Sequence, residues 1–218
     1  MCYHSPEVIA MKLIQTLTDE RFARPAARFM EAACYVSIAF LALCTVMSCM
    51  GRQDFFLHTS TELYEHAIFA EEDHDPHSRG MTVHMGDEIR VWTGDGDRLD
   101  PAVHVGLSLM YAVHTIPLML AFWCLSRVFA SIHRGEIFTD KNASCLLFYG
   151  LLQFFVAVFV PLLKMLISWV TTLVSDNRVT VSTGQDLFNT LIPSIAYIVA
   201  AYIIHYGVHL QDEVDHTL

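Results

Sequence analysis

The chain has 218 residues, 54% hydrophobic and only 17% charged, with a formal net charge of −10. Soluble globular domains carry about 25% charged residues. This composition excludes a disordered chain, a basic nucleic-acid-coating protein and a disulfide scaffold, and it requires the apolar and acidic parts of the chain to be segregated.

Residues 1–28 form a polar leader. Ser5-Pro6-Glu7 is a helix start, with a Ser cap and Pro at the first helical position. Val8, Met11, Ile14 and Leu17 come next at roughly helical spacing. They predict an amphipathic helix that lies on the membrane, binds a partner or simply leads into the first apolar stretch.

Four stretches are long enough to cross a hydrocarbon core of about 30 Å, which takes about 20 apolar residues. They are 29–50, 105–128, 143–170 and 187–210. The first exceeds a signal-peptide core in length and lacks a following A-x-A site, so it reads as an uncleaved span. The expected fold is an all-α integral membrane protein, a four-transmembrane-helix bundle with a small, β-containing extracytoplasmic insertion at 51–104. Residues 129–142 and 171–186 are the connecting loops, and 211–218 form an acidic tail.

Seven bases flank the spans on one side: Lys12, Arg21, Arg24, Arg28, Arg127, Arg134 and Lys141. Five lie on the other: Arg52, Arg79, Arg90, Arg98 and Arg178. The bias orients both termini toward the cytoplasm, with the 51–104 loop outside.

Residues 51–104 hold twelve acids against four arginines, so this one loop carries −8 of the net −10. Loops this long are seldom structureless. Leu63, Ala67 and Ala70 stand at helical spacing, which predicts a short helix between Ser60 and Ala70. Met81–Met85 and Glu88–Thr93 alternate around Gly86-Asp87 as hairpin strands do, and Gly94-Asp95-Gly96-Asp97 supplies a second turn. His66, His74, His77 and His84 lie among carboxylates, a donor set for Zn²⁺ or another first-row cation. The alternative is a solvated acidic loop with titrating histidines.

Ionisable groups inside spans are functional candidates by default. His114 lies about 13 Å and His205 about 27 Å from the outer ends of their spans at 1.5 Å per residue. That depth difference of about 14 Å disfavours a bis-histidine haem. His114 reads as a hydrogen-bonded interior residue. His205 and His209 share one helix face near the inner interface. Lys164 is expected to snorkel to the outer surface. Pro117, Pro161 and Pro193 interrupt spans two to four, and Trp123 and Trp169 suit opposite aromatic belts. The cysteines read as packing residues. No G-x-S-x-G, H-E-x-x-H or P-loop motif occurs, so no enzyme and no cofactor are expected.

Between spans two and three, Gly135 is placed to end one helix and Thr139 to cap the next. The run Gly135-Glu136-Ile137-Phe138-Thr139 with Asn142, and the closing Gly207…Leu210-Gln211-Asp212-Glu213-Val214-Asp215-His216-Thr217, resemble the YoaS-like family of small bacterial four-span membrane proteins. His216 departs from that family's usual apolar residue. The resemblance implies a partnership with a small cytoplasmic helix-turn-helix regulator, and no direct nucleic-acid contact. It draws attention to Arg134, Glu136, Thr139, Asn142, Gln211, Glu213 and Asp215 as partner-binding candidates. The expected function is a non-enzymatic membrane protein that senses outside and anchors or regulates that partner. The alternative is a small transporter or metal/haem carrier built on His114 and the external histidines. Beside the lipid bilayer, a homo-oligomer is compatible with either.

Overall fold

The computed structural model describes residues 20–60, 62–70, 81–84, 86–94, 98–136, 138–182 and 187–217, with backbone alone at 20–23, 187 and 210–217. The elements run α1 (Glu20–Cys49), β1 (Asp54–His58), β2 (Leu63–Ile68), β3 (Glu88–Trp92), α2 (Pro101–His133), α3 (Asp140–Val174), β4 (Arg178–Ser182) and α4 (Leu187–Thr217).

All four helices are long and apolar enough to span a bilayer, over Arg24–Cys49, Pro101–His133, Asp140–Val174 and Phe188–His209. Their ends reflect local chemistry. Asp100 caps α2 by accepting from the Ala102 N–H, with Pro101 at the first position. Thr139 caps α3 by accepting from the Asn142 N–H. Gly135, at φ +85°, takes the left-handed conformation that closes α2. Both loop signals, Gly135 and Thr139, are as the sequence predicts.

The helices form a row in which each packs extensively on its sequence neighbour, α1 on α2, α2 on α3 and α3 on α4. The inner pair bury 33% of their most apolar stretches, against 22% for α1 and 11% for α4. Two close approaches set the spacing. A Cβ on Gly106 would collide with Thr171 Oγ1, and one on Gly150 would stand 3.1 Å from the Ser194 carbonyl. Thr45 and Thr115 share a 2.9 Å hydroxyl contact between α1 and α2.

At one end of this row lies a four-stranded sheet, ordered β2-β1-β3-β4. β1 pairs antiparallel with β2 and parallel with β3, and β3 pairs antiparallel with β4. Strands alternate faces with period two. Phe55, Leu57, Ile89, Val91 and Val179 point to one face, where they pack with Val103, Leu107, Met110 and Tyr111 of α2 and Cys44 of α1. The opposite face carries a ladder in which His58 stacks on Trp92 and Arg178 lies over the same indole.

Three expectations are corrected here. Residues 63–68 are strand β2, not a helix. Ala67 and Ile68 are buried, and register with β1 outweighs a three-residue apolar spacing. The strand Glu88–Trp92 is present, but its partners are β1 and β4, not 81–85. Val83 makes only a bridge to Gln53, and Met85 lies outside the described residues. The second loop, 171–186, supplies β4, whose far edge is closed by α3. The Val179 N–H donates to Thr172 Oγ1 at 3.0 Å, and the Val179 carbonyl accepts from Ser168 at 2.8 Å. Hydroxyls on successive turns thus satisfy an edge that would otherwise stand unpaired.

Candidate functional site: a buried ion pair between sheet and helices

Asp87 stands immediately before β3, where the chain enters the sheet from Gly86. Lys164 lies ten residues before the end of α3, about 15 Å down the helix at 1.5 Å per residue. The Lys164 ammonium donates to Asp87 Oδ2, and only 3% and 2% of the two side chains remain exposed. His114 of α2 approaches from the neighbouring helix, its Nδ1 3.4 Å from Lys164 Nζ. The second carboxylate oxygen, Asp87 Oδ1, is buried without a hydrogen-bond partner among the described residues.

Lys164 therefore does not snorkel. The sheet roofs this part of α3, closing the route to the surface, and brings a counter-charge down to the lysine. Lone buried charges are expensive, and a paired one is strongly destabilised when its partner is removed. Chemically the arrangement is a latch. Proton transfer from Lys164 to Asp87 would convert the ion pair to a neutral pair with no change in net charge, while withdrawing Asp87 alone would strand a cation. His114 is half-buried, with Lys164 as its polar neighbour. What the sequence did not reveal is that Asp87, one of twelve acids in its loop, is turned inward to meet Lys164.

The remaining candidates divide between the two ends. His66 and His84 are brought together by Asp54, their Nδ1 atoms 3.4 and 3.3 Å from its two carboxylate oxygens. His74 and His77 lie outside the described residues. Among the described residues, no three His, Cys, Asp or Glu side chains converge to hold a metal ion. At the opposite end, Asn142 is buried and its Nδ2 donates to the Glu136 carbonyl at 2.7 Å. With Thr139 spent as a cap, these two shape the loop. Arg134 and Glu136 are exposed and face each other at 3.5 Å. His205 Nδ1 lies 3.0 Å from Asp140 Oδ1, and its ring meets that of His209 edge-on. A Cβ on Gly207 would touch Phe138 at 3.1 Å. The 134–142 loop and the last part of α4 are thus adjacent. Gln211, Glu213 and Asp215 continue the helical backbone of α4.

A row of four membrane-length helices with a sheet latched to one end defines a multi-pass membrane protein. Residues 66–218 match the family described as a protein of unknown function (DUF2975). The chain belongs to that family, and the matched region includes Asp87, His114 and Lys164. No curated protein and no solved structure matches the chain.

Proposed function

We propose that the chain is a non-enzymatic signalling protein of the bacterial cytoplasmic membrane, with the sheet outside and both termini inside. In this reading it is a YoaS-like protein whose inner end engages a small helix-turn-helix regulator. The observation that carries the reading is the Asp87–Lys164 pair, which makes the packing of the helices depend on the position of the sheet. A ligand that draws Asp87 away leaves Lys164 uncompensated, so α2 and α3 must re-pack around it. Signalling elements need this kind of two-arrangement packing. Helix α3 links the two ends, with Lys164 at the sheet and Asp140 at the contact with His205. The excess of flanking bases on the loop end supports the orientation.

The test is co-purification of the full chain with a helix-turn-helix protein encoded beside it. Deleting residues 211–218 abolishes the complex, and Lys164→Met changes its affinity. Retention unaffected by both changes overturns the proposal. Bound metal, or a haem absorption band in the purified protein, would favour the carrier alternative.

A further inference from the structure

At the loop end, α1, α2 and α3 enclose a polar cavity of about 220 Å³. Its charged lining is Arg127, Arg134 and Lys141, facing the single acid Glu31, with Tyr35 beside it. Three features fix what such a cavity holds. First, Arg134 is already met by Glu136 at 3.5 Å, which leaves Arg127 and Lys141 facing Glu31 and the space net positive, and a planar guanidinium matches the geometry of a phosphate oxygen pair. Second, the cavity lies at the end of the membrane-length helices, where lipid headgroups are expected. Arg127 is six residues before the end of α2, about 9 Å, and its guanidinium lies 5.0 Å from the centroid of Trp123. Trp123 is half-exposed, as interfacial tryptophans are. Third, each of the three helices carries an exposed apolar side chain within about one turn of a lining residue. Val36 on α1, Trp123 on α2 and Phe148 on α3 offer a surface for acyl chains. A soluble phosphate compound would make no use of that surface.

We propose that this cavity seats the phosphate of an anionic phospholipid headgroup, with Arg127 and Lys141 as the principal contacts and Glu31 limiting the net positive charge. Basic pockets between spans at a membrane face are suited to such headgroups. The site is independent of the Asp87–Lys164 pair, since it lies at the other end of the row, and it holds for either orientation of the chain.

The test is native mass spectrometry of the full-length protein in detergent, titrated separately with phosphatidylglycerol, with diacylglycerol of the same chains, and with inorganic phosphate. Phosphatidylglycerol is retained at least about tenfold more tightly than diacylglycerol, the scale of one charge-assisted contact. The Arg127→Gln/Lys141→Gln double variant loses about that factor, and inorganic phosphate at millimolar concentration does not displace the lipid. Glu31→Gln, which adds no void, raises retention and serves where the double variant fails to fold. Equal retention of the two lipids, insensitivity to Glu31→Gln, or displacement by inorganic phosphate each overturns the proposal, the last by assigning the cavity to a soluble phosphate.

Discussion

Lys164 and Asp87 stand 77 residues apart in the chain and meet as a buried ion pair between a membrane-spanning helix and a sheet. Neither residue has another charged partner among the described residues, so each is the condition for burying the other. The pair converts a peripheral sheet into part of the helix packing.

Removing one member is therefore far worse than removing both. Lys164→Met or Asp87→Leu each costs about 3–5 kcal/mol, because each leaves a buried charge uncompensated. The double variant recovers most of that loss. Thermal unfolding of the four proteins in one detergent gives the coupling energy. A coupling near zero would mean that the pair is not formed in the folded protein.

The two glycine crossings respond differently to the same change. Gly106→Ala and Gly150→Ala each overpack a helix contact, with a cost of about 1–3 kcal/mol. The obstruction at Gly106 includes Oγ1 and Cγ2 of Thr171, so adding Thr171→Ala relieves part of it. At Gly150 the obstruction includes the Ser194 carbonyl and the Ile198 backbone nitrogen, and trimming Ile198 leaves those in place. Melting temperatures of the single and paired variants separate the cases. Equal rescue at both sites would contradict the assigned contacts.

Leu57 is fully buried at the centre of the sheet–helix core. Leu57→Ala is expected to destabilise the protein by about 2–5 kcal/mol. The loss should appear as earlier proteolysis of the 51–104 segment, while the spans remain protected by detergent. Unchanged protease sensitivity would show that the sheet is not held by this core.

Asn177, in the turn between α3 and β4, accepts from the Asp100 N–H at 2.9 Å and donates to the Arg98 carbonyl at 3.0 Å. It ties the start of α2 to the turn leading into β4. Asn177→Ala leaves the Asp100 N–H and the Arg98 carbonyl without their partner and is expected to cost about 1 kcal/mol. Asn177→Asp keeps the acceptor for the Asp100 N–H but buries an unpaired carboxylate and sets its second oxygen against the Arg98 carbonyl, so it should be the harsher change at neutral pH. The reverse order in a thermal-shift series would refute this role.

The proposed orientation, with the sheet outside, is checked by labelling. In a chain with its native cysteines replaced, Thr59→Cys is modified by an impermeant maleimide on intact cells. Glu136→Cys reacts only after permeabilisation. The opposite pattern would invert the topology and leave the fold untouched.

The spans were legible because membrane length and uninterrupted apolarity are local properties, and so were the Thr139 cap and the Gly135 terminus. Strand β3 was legible from its alternation, but its partners were not. The two-residue Gly86-Asp87 step looks like a hairpin turn, yet Asp87 is drawn inward by a lysine that the sequence places far away. Residues 63–68 carry too few apolar positions to separate period 2 from period 3.6. Strand β4 has a visible signal in Arg-Val-Thr-Val-Ser, a β-branched alternation that a short inter-span loop made easy to pass over. At the candidate sites, the histidine cluster was visible as composition, but its meeting point on Asp54 depends on β1–β2 register. The cavity at the loop end combines residues from three helices that no window in the sequence contains together.

The order of the strands also constrains how the molecule can be made. β1, β2 and β3 are synthesised before α2, but β4 comes after α3, so the sheet stays incomplete until two further spans have been threaded. Until then β3 presents an open edge and Asp87 has no lysine to meet. Completion of the sheet thus acts as a built-in check on insertion: a chain whose third span is misplaced cannot deliver either β4 or Lys164, and it displays both defects on the same surface.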